Sequence, residues 1–194
     1  YKRQVSNLLT LIAMQELDSV TTAYTGWDVG GAKPEEQSSQ QGTNAAMLHG
    51  IEQMTGRVKI YREGAFEMTK PLAPVPVSYP GLPSFMGYIF GHPEAITFPH
   101  NYPHLQESIN LAHGGGIDSW QLRAIVNLVN WGLLTRARAA SLLTWVERNS
   151  EVGGQGKGSD DPPVMYGLAT GTKNEQPASV GVSFMSSALS LIHI

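Results

Sequence analysis

Five prolines between positions 70 and 83 limit what this part of the chain can become: Pro71, Pro74, Pro76, Pro80 and Pro83. Proline fixes φ and has no backbone N–H, so it interrupts helices and is confined to the edges of sheets. Residues 70–83 are therefore predicted to run extended, outside any helix or central strand. The rest of the fold must leave room for this segment at a sheet edge or on the surface.

The residues before this segment alternate with period two. Val58 and Ile60 face one way, and Phe66 and Met68 resume the alternation after Glu63-Gly64. Alternation around a glycine-containing turn is typical of a β-hairpin.

Elsewhere, apolar residues at helical spacing alternate with β-branched and aromatic runs. Helices are predicted over 6–18, from Thr43 or Asn44 to Met54, from Asp118 or Ser119 to Gly132, and from Thr135 to Arg148. Strands are predicted over 20–27, 85–90, 107–113, 164–172 and 178–185, the last two closing the chain, with a further extended piece from Ala95 to Phe98. The sum is an α+β domain with one mixed β-sheet and about four helices.

Length and composition fit a single domain over residues 1–194. Polar, glycine-bearing residues predict flexible loops over 28–42 and 150–163. The chain opens on Tyr1 and runs directly into a helix, without an initiator methionine or signal peptide, so we expect a fragment of a longer protein.

The charge and the residue composition argue against several kinds of partner and site. The formal net charge is −3, which argues against a nucleic-acid partner. No apolar run reaches the roughly 18 residues of a membrane span, so no membrane partner is predicted. Cysteine is absent, which removes disulfides, cysteine-ligated zinc and thiol catalysis. Charged residues make up only 15% of the chain, which suggests a sheet surface covered by another subunit or domain.

The glycine run Gly153–Gly158 does not match a nucleotide-binding motif. The sixth position counted from Gly154 is Ser159 rather than glycine, and Lys157 is followed by glycine rather than by Ser or Thr. The run also lacks a strand before it and a helix after it. We therefore predict a solvated loop there and no cofactor bound by this chain alone.

Four histidines fall within 22 residues: His92, His100, His104 and His113. Prolines separate them, so they cannot pair on a regular helix face, and no metal site is predicted. His92 and Glu94, where a strand meets a loop, fit two interpretations. They are either a proton-transfer or substrate-binding pair or a capped turn.

Two further residues are weaker site candidates. Arg62, at the predicted hairpin, can hold a substrate carboxylate by bidentate hydrogen bonds, or can be an exposed turn charge. Trp27 ends a predicted strand, and a tryptophan is more often part of a core. The same core interpretation applies to Trp120, Trp131 and Trp145.

Several segments, in order, resemble the saccharopine dehydrogenase-like oxidoreductases. They are Ser6-Asn7-Leu8-Leu9, Glu16-Leu17-Asp18 and Gly26-Trp27; residues 46–64, a helix followed by "V-x-x-Y-R-x-G"; residues 91–99, similar to "G-H-x-E-x-x-T-L-P"; Gly115-Gly116-Ile117 and Gly132-Leu133-Leu134; and Gly171-Thr172-Lys173. The last departs from the family pattern, because Asn174-Glu175 replaces Asp-Gly.

The resemblance implies the C-terminal substrate and dimerisation domain of such an enzyme, built on a mixed sheet. It implies a cytoplasmic homodimer that uses NAD or NADP to act on a carbon–nitrogen bond of an amino acid or polyamine. His92 and Glu94 would then handle protons or contact substrate, with Arg62 and Trp27 as substrate contacts. The Rossmann domain that would hold the cofactor is absent from this chain. The alternative is a non-catalytic dimerisation or interaction module of the same fold.

Overall fold

The computed structural model describes residues 2–29, 45–149, 161–185 and 188–193. Over these ranges the chain is an α+β domain with one mixed sheet and four α-helices, which confirms the predicted fold class. The elements are α1 (Lys2–Gln15), β1 (Ser19–Asp28), α2 (Ala45–Met54), β2 (Val58–Arg62), β3 (Ala65–Thr69), β4 (Pro74–Val77), β5 (Phe85–Ile89), β6 (Glu107–His113), α3 (Trp120–Asn130), α4 (Arg136–Asn149), β7 (Met165–Lys173), β8 (Gln176–Met185) and β9 (Ala188–His193), with 3₁₀ turns at Pro93–Ile96 and Phe98–His100.

The sheet runs in the order β3-β2-β6-β1-β7-β8-β9, and β5 pairs with both β4 and β6. Strands β1 and β6 are parallel, in register from Thr22–Glu107 to Asp28–His113. Every other pairing among the described strands is antiparallel. Because β1 and β6 run the same way, their carboxyl ends lie side by side at one edge of the sheet.

Side chains alternate between the two faces of the sheet. On one, which we call the helical face, Ala23 of β1 packs in a core with Leu9, Ala13 and Met14 of α1. Gly167 of β7 permits this, since a Cβ at that position would lie 2.2 Å from the backbone N of Thr10. The missing side chain lets α1 rest directly on the sheet.

The opposite face, which we call the hairpin face, is covered in part by the proline-rich segment itself. Tyr79, just after β4, packs edge-on against Tyr166 at 5.4 Å between ring centroids. A Cβ on Gly181 would lie 2.6 Å from Cζ of Tyr79, so the ring rests on bare backbone. The proline-rich segment stays outside the helices and the central strands, as predicted, and among the described strands its β4 pairs with β5. It is extended only in part, because it turns at residues 71–72 and 80–82.

Three predictions about local structure are wrong. Ala95–Phe98 is not extended, because Pro93 and Pro99 favour tight 3₁₀ turns at their positions. The chain closes on three strands rather than two, the third being Ala188–His193, which pairs with β8. Trp120, Trp131 and Trp145 are exposed rather than core residues.

The two predicted loops fall largely outside the described residues. Asp28 belongs to β1 rather than to the 28–42 loop, and residues 30–42 are not described. Residues 150–160, with the run Gly153–Gly158, are not described either, while 161–163 form an irregular segment. None of the described helices has the length and apolar character needed to cross a bilayer.

Candidate active site

The centre of the candidate site is a contact between Trp27 and His92. Their rings meet edge to face with centroids 5.0 Å apart and planes at 81°. Trp27 lies at the carboxyl end of β1, and His92 follows β5 by three residues. The structure thus brings together two residues that were predicted separately as site candidates.

Neighbouring side chains complete an aromatic and imidazole cluster around this pair. Phe90 packs edge-on against Trp27 at 5.7 Å, and the His49 ring on α2 lies 6.3 Å from the His92 ring. The buried Asn110 of β6 donates from Nδ2 to the backbone carbonyl of His92. Sequence reasoning missed both His49 and Asn110. Strand pairing and helix packing bring both residues to His92, and the sequence does not show either. His49 does lie in the helix segment that carries the resemblance.

Gly91 allows the chain to reach this position. Its N–H donates to the carbonyl of Gln53 at 3.0 Å, and a Cβ there would lie 2.4 Å from Cγ1 of Val58. A larger residue would push the segment away from β2 and carry His92 with it. This gives a physical reason for the Gly-His order at 91–92.

Glu94, the predicted partner of His92, belongs to the 3₁₀ turn Pro93–Ile96. That turn packs against β1, β2 and β6. Glu94 is therefore two residues from His92, on a segment held against the sheet. Its role in proton handling stays a prediction.

Arg62 lies in a separate network of charged and polar groups. Its Nε donates to Oε1 of Glu107 at 3.0 Å, and Nη1 donates to Oε1 of the exposed Glu67 at 3.2 Å. Tyr24 donates its hydroxyl to the other oxygen of Glu107 at 2.6 Å. Glu107 thus accepts from two side chains and links β1, β2 and β6.

Burial and Glu107 together change the pKa values of Tyr24 and Arg62. Burial, then the hydrogen bond and charge of Glu107, raise the pKa of the Tyr24 hydroxyl well above its ordinary range. Burial on its own lowers the pKa of Arg62, but the hydrogen bond and charge of Glu107 outweigh it and leave the pKa raised. Arg62 therefore stays charged and Tyr24 stays neutral across the physiological range.

The two groups of site candidates are far apart. Trp27 pairs with Ala112 near the end of β6, whereas Arg62 bonds to Glu107 at its start, five residues or roughly 17 Å away along the strand. They also occupy opposite faces, because Trp27 is on the helical face and Tyr24, bonded to the same Glu107, is on the hairpin face. Arg62 and His92 cannot both contact one small substrate.

The four histidines that lie close together in the sequence are separated in the structure. His113 is buried on the hairpin face, where its Nε2 lies 3.0 Å from the carbonyl oxygen of Pro163, while His100 and His104 are exposed. In the part of the chain that the structure describes, no group of three or more acidic or histidine side chains is arranged to hold a metal ion.

The glycine turn at 114–116 does not fit the pyrophosphate of a nicotinamide dinucleotide. Gly114–Gly116 do connect the parallel strand β6 to α3, but a Cβ on Gly114 would lie 2.1 Å from Oδ1 of Asp28. A pyrophosphate at this turn would meet that carboxylate. The hydroxyl of Ser119, at the helix start, already accepts from the N–H of Leu122.

A shallow depression lies elsewhere on the sheet, near the start of β1 and so at the other end of that strand from Trp27. It contains none of the predicted site residues. Its lining consists of Thr21, Thr170, Gly171, Pro177, Ala178 and Ser179.

These features define an α+β domain in which the buried imidazole of His92 contacts the partly buried indole of Trp27 near the carboxyl ends of two parallel strands. No family model matches the sequence, and no curated protein matches it. Among solved structures, the chain is similar to apo histidine-tagged saccharopine dehydrogenase (L-Glu forming) from Saccharomyces cerevisiae, with a TM-score of 0.41 and 10% identity. The alignment covers 99% of this chain and 57% of the yeast chain, so this chain spans little more than half the length of that structure.

Proposed function

We propose that this chain is the substrate-binding and dimerisation domain of an NAD(P)-dependent oxidoreductase of the saccharopine dehydrogenase-like family. One observation carries the proposal. Trp27 and His92 belong to two different segments of the sequence resemblance, 65 positions apart, and their rings are in contact. Segments that resemble one family in order, and then meet at one place in the fold, favour a common site.

In this proposal the reaction takes place at a carbon–nitrogen bond of an amino acid or a polyamine. His92 transfers a proton to or from the amine, or contacts the substrate, since an imidazole titrates near neutral pH. The Trp27 indole forms an apolar wall beside it, and Glu94 assists the histidine. NAD or NADP would be held by a further domain, which would also complete the site in a cytoplasmic homodimer.

Arg62 has a weaker place in the proposal. Glu107 and Glu67 already occupy its Nε and Nη1, and an amino acid bound at His92 would be out of its reach. Arg62 would hold a substrate carboxylate only by exchanging the exposed Glu67 for it. Because Arg62 is already paired with two carboxylates of its own chain, this arrangement favours the second candidate, a non-catalytic dimerisation or interaction module of the same fold.

The test needs the full-length parent protein. We expect NADPH to bind it, followed by fluorescence, while the 194-residue chain alone binds none. Turnover with a panel of amino acids and polyamines should fall at least about 100-fold in His92→Ala, the lower range for general acid–base catalysis. His104→Ala, at an exposed histidine, serves as the matched control and should keep full turnover.

Two kinds of measurement distinguish a catalytic effect of the His92→Ala substitution from a structural one. Circular dichroism and NADPH affinity should be retained in His92→Ala, and the pH profile of turnover should lose one limb. Cofactor binding with turnover that does not depend on His92 would contradict the proposed role of this domain and favour the non-catalytic module. Sedimentation velocity tests the homodimer separately.

A further inference from the structure

Helices α3 and α4 present large apolar side chains to solvent. Trp120 is 74% exposed, Trp131 70%, Leu133 71% and Trp145 62%. We call these four side chains the tryptophan surface. Burial of such groups is favourable, so four of them exposed on two consecutive helices and the turn between them mark a contact surface.

The tryptophan surface is separate from the hydrophobic core against which α3 and α4 pack. Both helices bury their other sides in the same cluster, through Ile125 and Val126 of α3 and Ala139 and Ala140 of α4. Trp120 and Trp131 are eleven residues apart, three turns of helix, and so lie on one side of α3. The exposed sides of the two helices thus face away from a core that is already filled.

The turn between the helices holds Leu133 outward. Gly132 has a φ of 74°, and the N–H groups of Leu133 and Leu134 both donate to the carbonyl of Leu128. This is the geometry of a glycine-terminated helix, which fixes the direction of the chain beyond it. Leu133 is therefore presented by an ordered turn, next to Trp131.

The charge of this region is net positive. Residues 118–149, which span α3 with its cap, the turn and α4, contain four arginines against Asp118 and Glu147, whereas the whole chain has a formal charge of −3. A positively charged segment with exposed tryptophans on an acidic protein is complementary to a surface that is both anionic and apolar.

We propose that the tryptophan surface binds a lipid bilayer that contains anionic lipids. Tryptophan prefers the boundary between head groups and acyl chains, and arginine reaches the lipid phosphates from beside it. The sequence-based prediction of no membrane partner rested only on the lack of a spanning segment. Binding at the interface needs no such segment.

A second copy of this chain fits the surface less well. A symmetric contact would bring the same net-positive patch of both copies together, with only Asp118 and Glu147 against the four arginines of 118–149 in each copy. The charge therefore favours an anionic partner over self-association. The proposal is independent of the proposed enzymatic function.

The experiment is co-sedimentation of the full-length parent protein with vesicles, since the further domain proposed above could cover the same surface. We expect binding to phosphatidylcholine vesicles that contain phosphatidylserine, little binding to pure phosphatidylcholine, and weaker binding as salt rises. Arg136→Gln with Arg138→Gln should lower the affinity on the order of 30-fold. Trp131→Gln with Leu133→Gln should lower it at least about tenfold. Brominated lipids should quench the tryptophan emission of the unmodified chain.

The matched control replaces exposed apolar residues elsewhere, Met68→Gln with Phe184→Gln, and should bind as the unmodified chain does. No binding to phosphatidylserine vesicles, or equal binding by the Trp131/Leu133 variant, would overturn the proposal. So would self-association that this variant abolishes without any vesicle binding, which would assign the surface to a second copy. Binding to polyglutamate beads but not to vesicles would assign it to an acidic protein.

Discussion

The indole of Trp27 and the imidazole of His92 meet edge to face at 5.0 Å, although a helix and four strands separate them along the chain. The contact connects β1 to the segment that follows β5 and is largely shielded from solvent. It is both the centre of the candidate site and a structural link.

A double-mutant cycle should measure this link. Trp27→Leu and His92→Ala should each lower the free energy of unfolding in urea, and the cycle should give a coupling of about 0.5 to 1.5 kcal/mol, as for other aromatic pairs. The exposed His104, paired with Trp27 in a parallel cycle, should give a coupling near zero. A coupling near zero for His92 as well would show that the two rings contribute independently.

The buried tyrosines should make the protein sensitive to alkali. Burial raises the pKa values of Tyr24, Tyr79 and Tyr166. Their stabilising effect is complete below the unfolded pKa, about 10, and is lost as pH rises toward the folded values. Above that pH, each should lower the free energy of unfolding by up to about 1.4 kcal/mol per pH unit.

Urea unfolding on either side of this pH tests the expectation. Tyr24→Phe and Tyr166→Phe should each reduce the slope against pH, because each removes one titrating group. Tyr166→Phe should also cost little at neutral pH or even stabilise, since its buried hydroxyl has no hydrogen-bond partner among the described residues. A large loss of stability at neutral pH would contradict this and reveal a partner for the hydroxyl.

Two glycines should respond in opposite directions to alanine. Gly167→Ala places a methyl group 2.2 Å from the Thr10 backbone, so α1 must move and the free energy of unfolding should fall by about 2 kcal/mol or more. Gly50→Ala, inside α2, meets only Met54 Cε at 4.0 Å and should stabilise by about 0.5 to 1 kcal/mol. Thermal unfolding of both variants gives the comparison. Equal effects would mean that α1 does not rest on the sheet at Gly167.

The two carboxylates around Arg62 should contribute unequally. Glu107→Gln should cost about 1 to 2 kcal/mol of unfolding free energy, because Glu107 is partly buried and accepts from both Arg62 and Tyr24. Glu67→Gln should change it by less than about 0.5 kcal/mol, as is usual for an exposed ion pair. If Glu67 proved the larger contributor, the network would be organised around the hairpin rather than around β6.

The sequence predicted most of the elements because their signals are local. Helix α3 begins after Ser119, whose hydroxyl caps it, and the β2–β3 hairpin turns at Glu63-Gly64. β9 was missed because its residues follow a strand without a turn signal between them. The tryptophans of α3 and α4 were misplaced because helical spacing shows which residues share a side but not which side is buried.

The candidate site was only partly predictable for a related reason. His92 and Arg62 both stand near strand ends, and nothing in their spacing tells which face of the sheet each occupies. The face depends on the pairing of β6 with β1 and β2, which joins residues far apart in sequence. His49 and Asn110 join the site through the same long-range packing.

The central strand β1 also sets an order of events during synthesis. Its partners β6 and β7 lie far downstream, with Ser19 opposite Thr172. On a ribosome, β1 and the apolar side of α1 must wait until most of the chain has emerged before either can find its neighbours. Until then an aggregation-prone strand is exposed, so we expect the yield of soluble protein to depend on chaperones that hold the nascent α1–β1 segment.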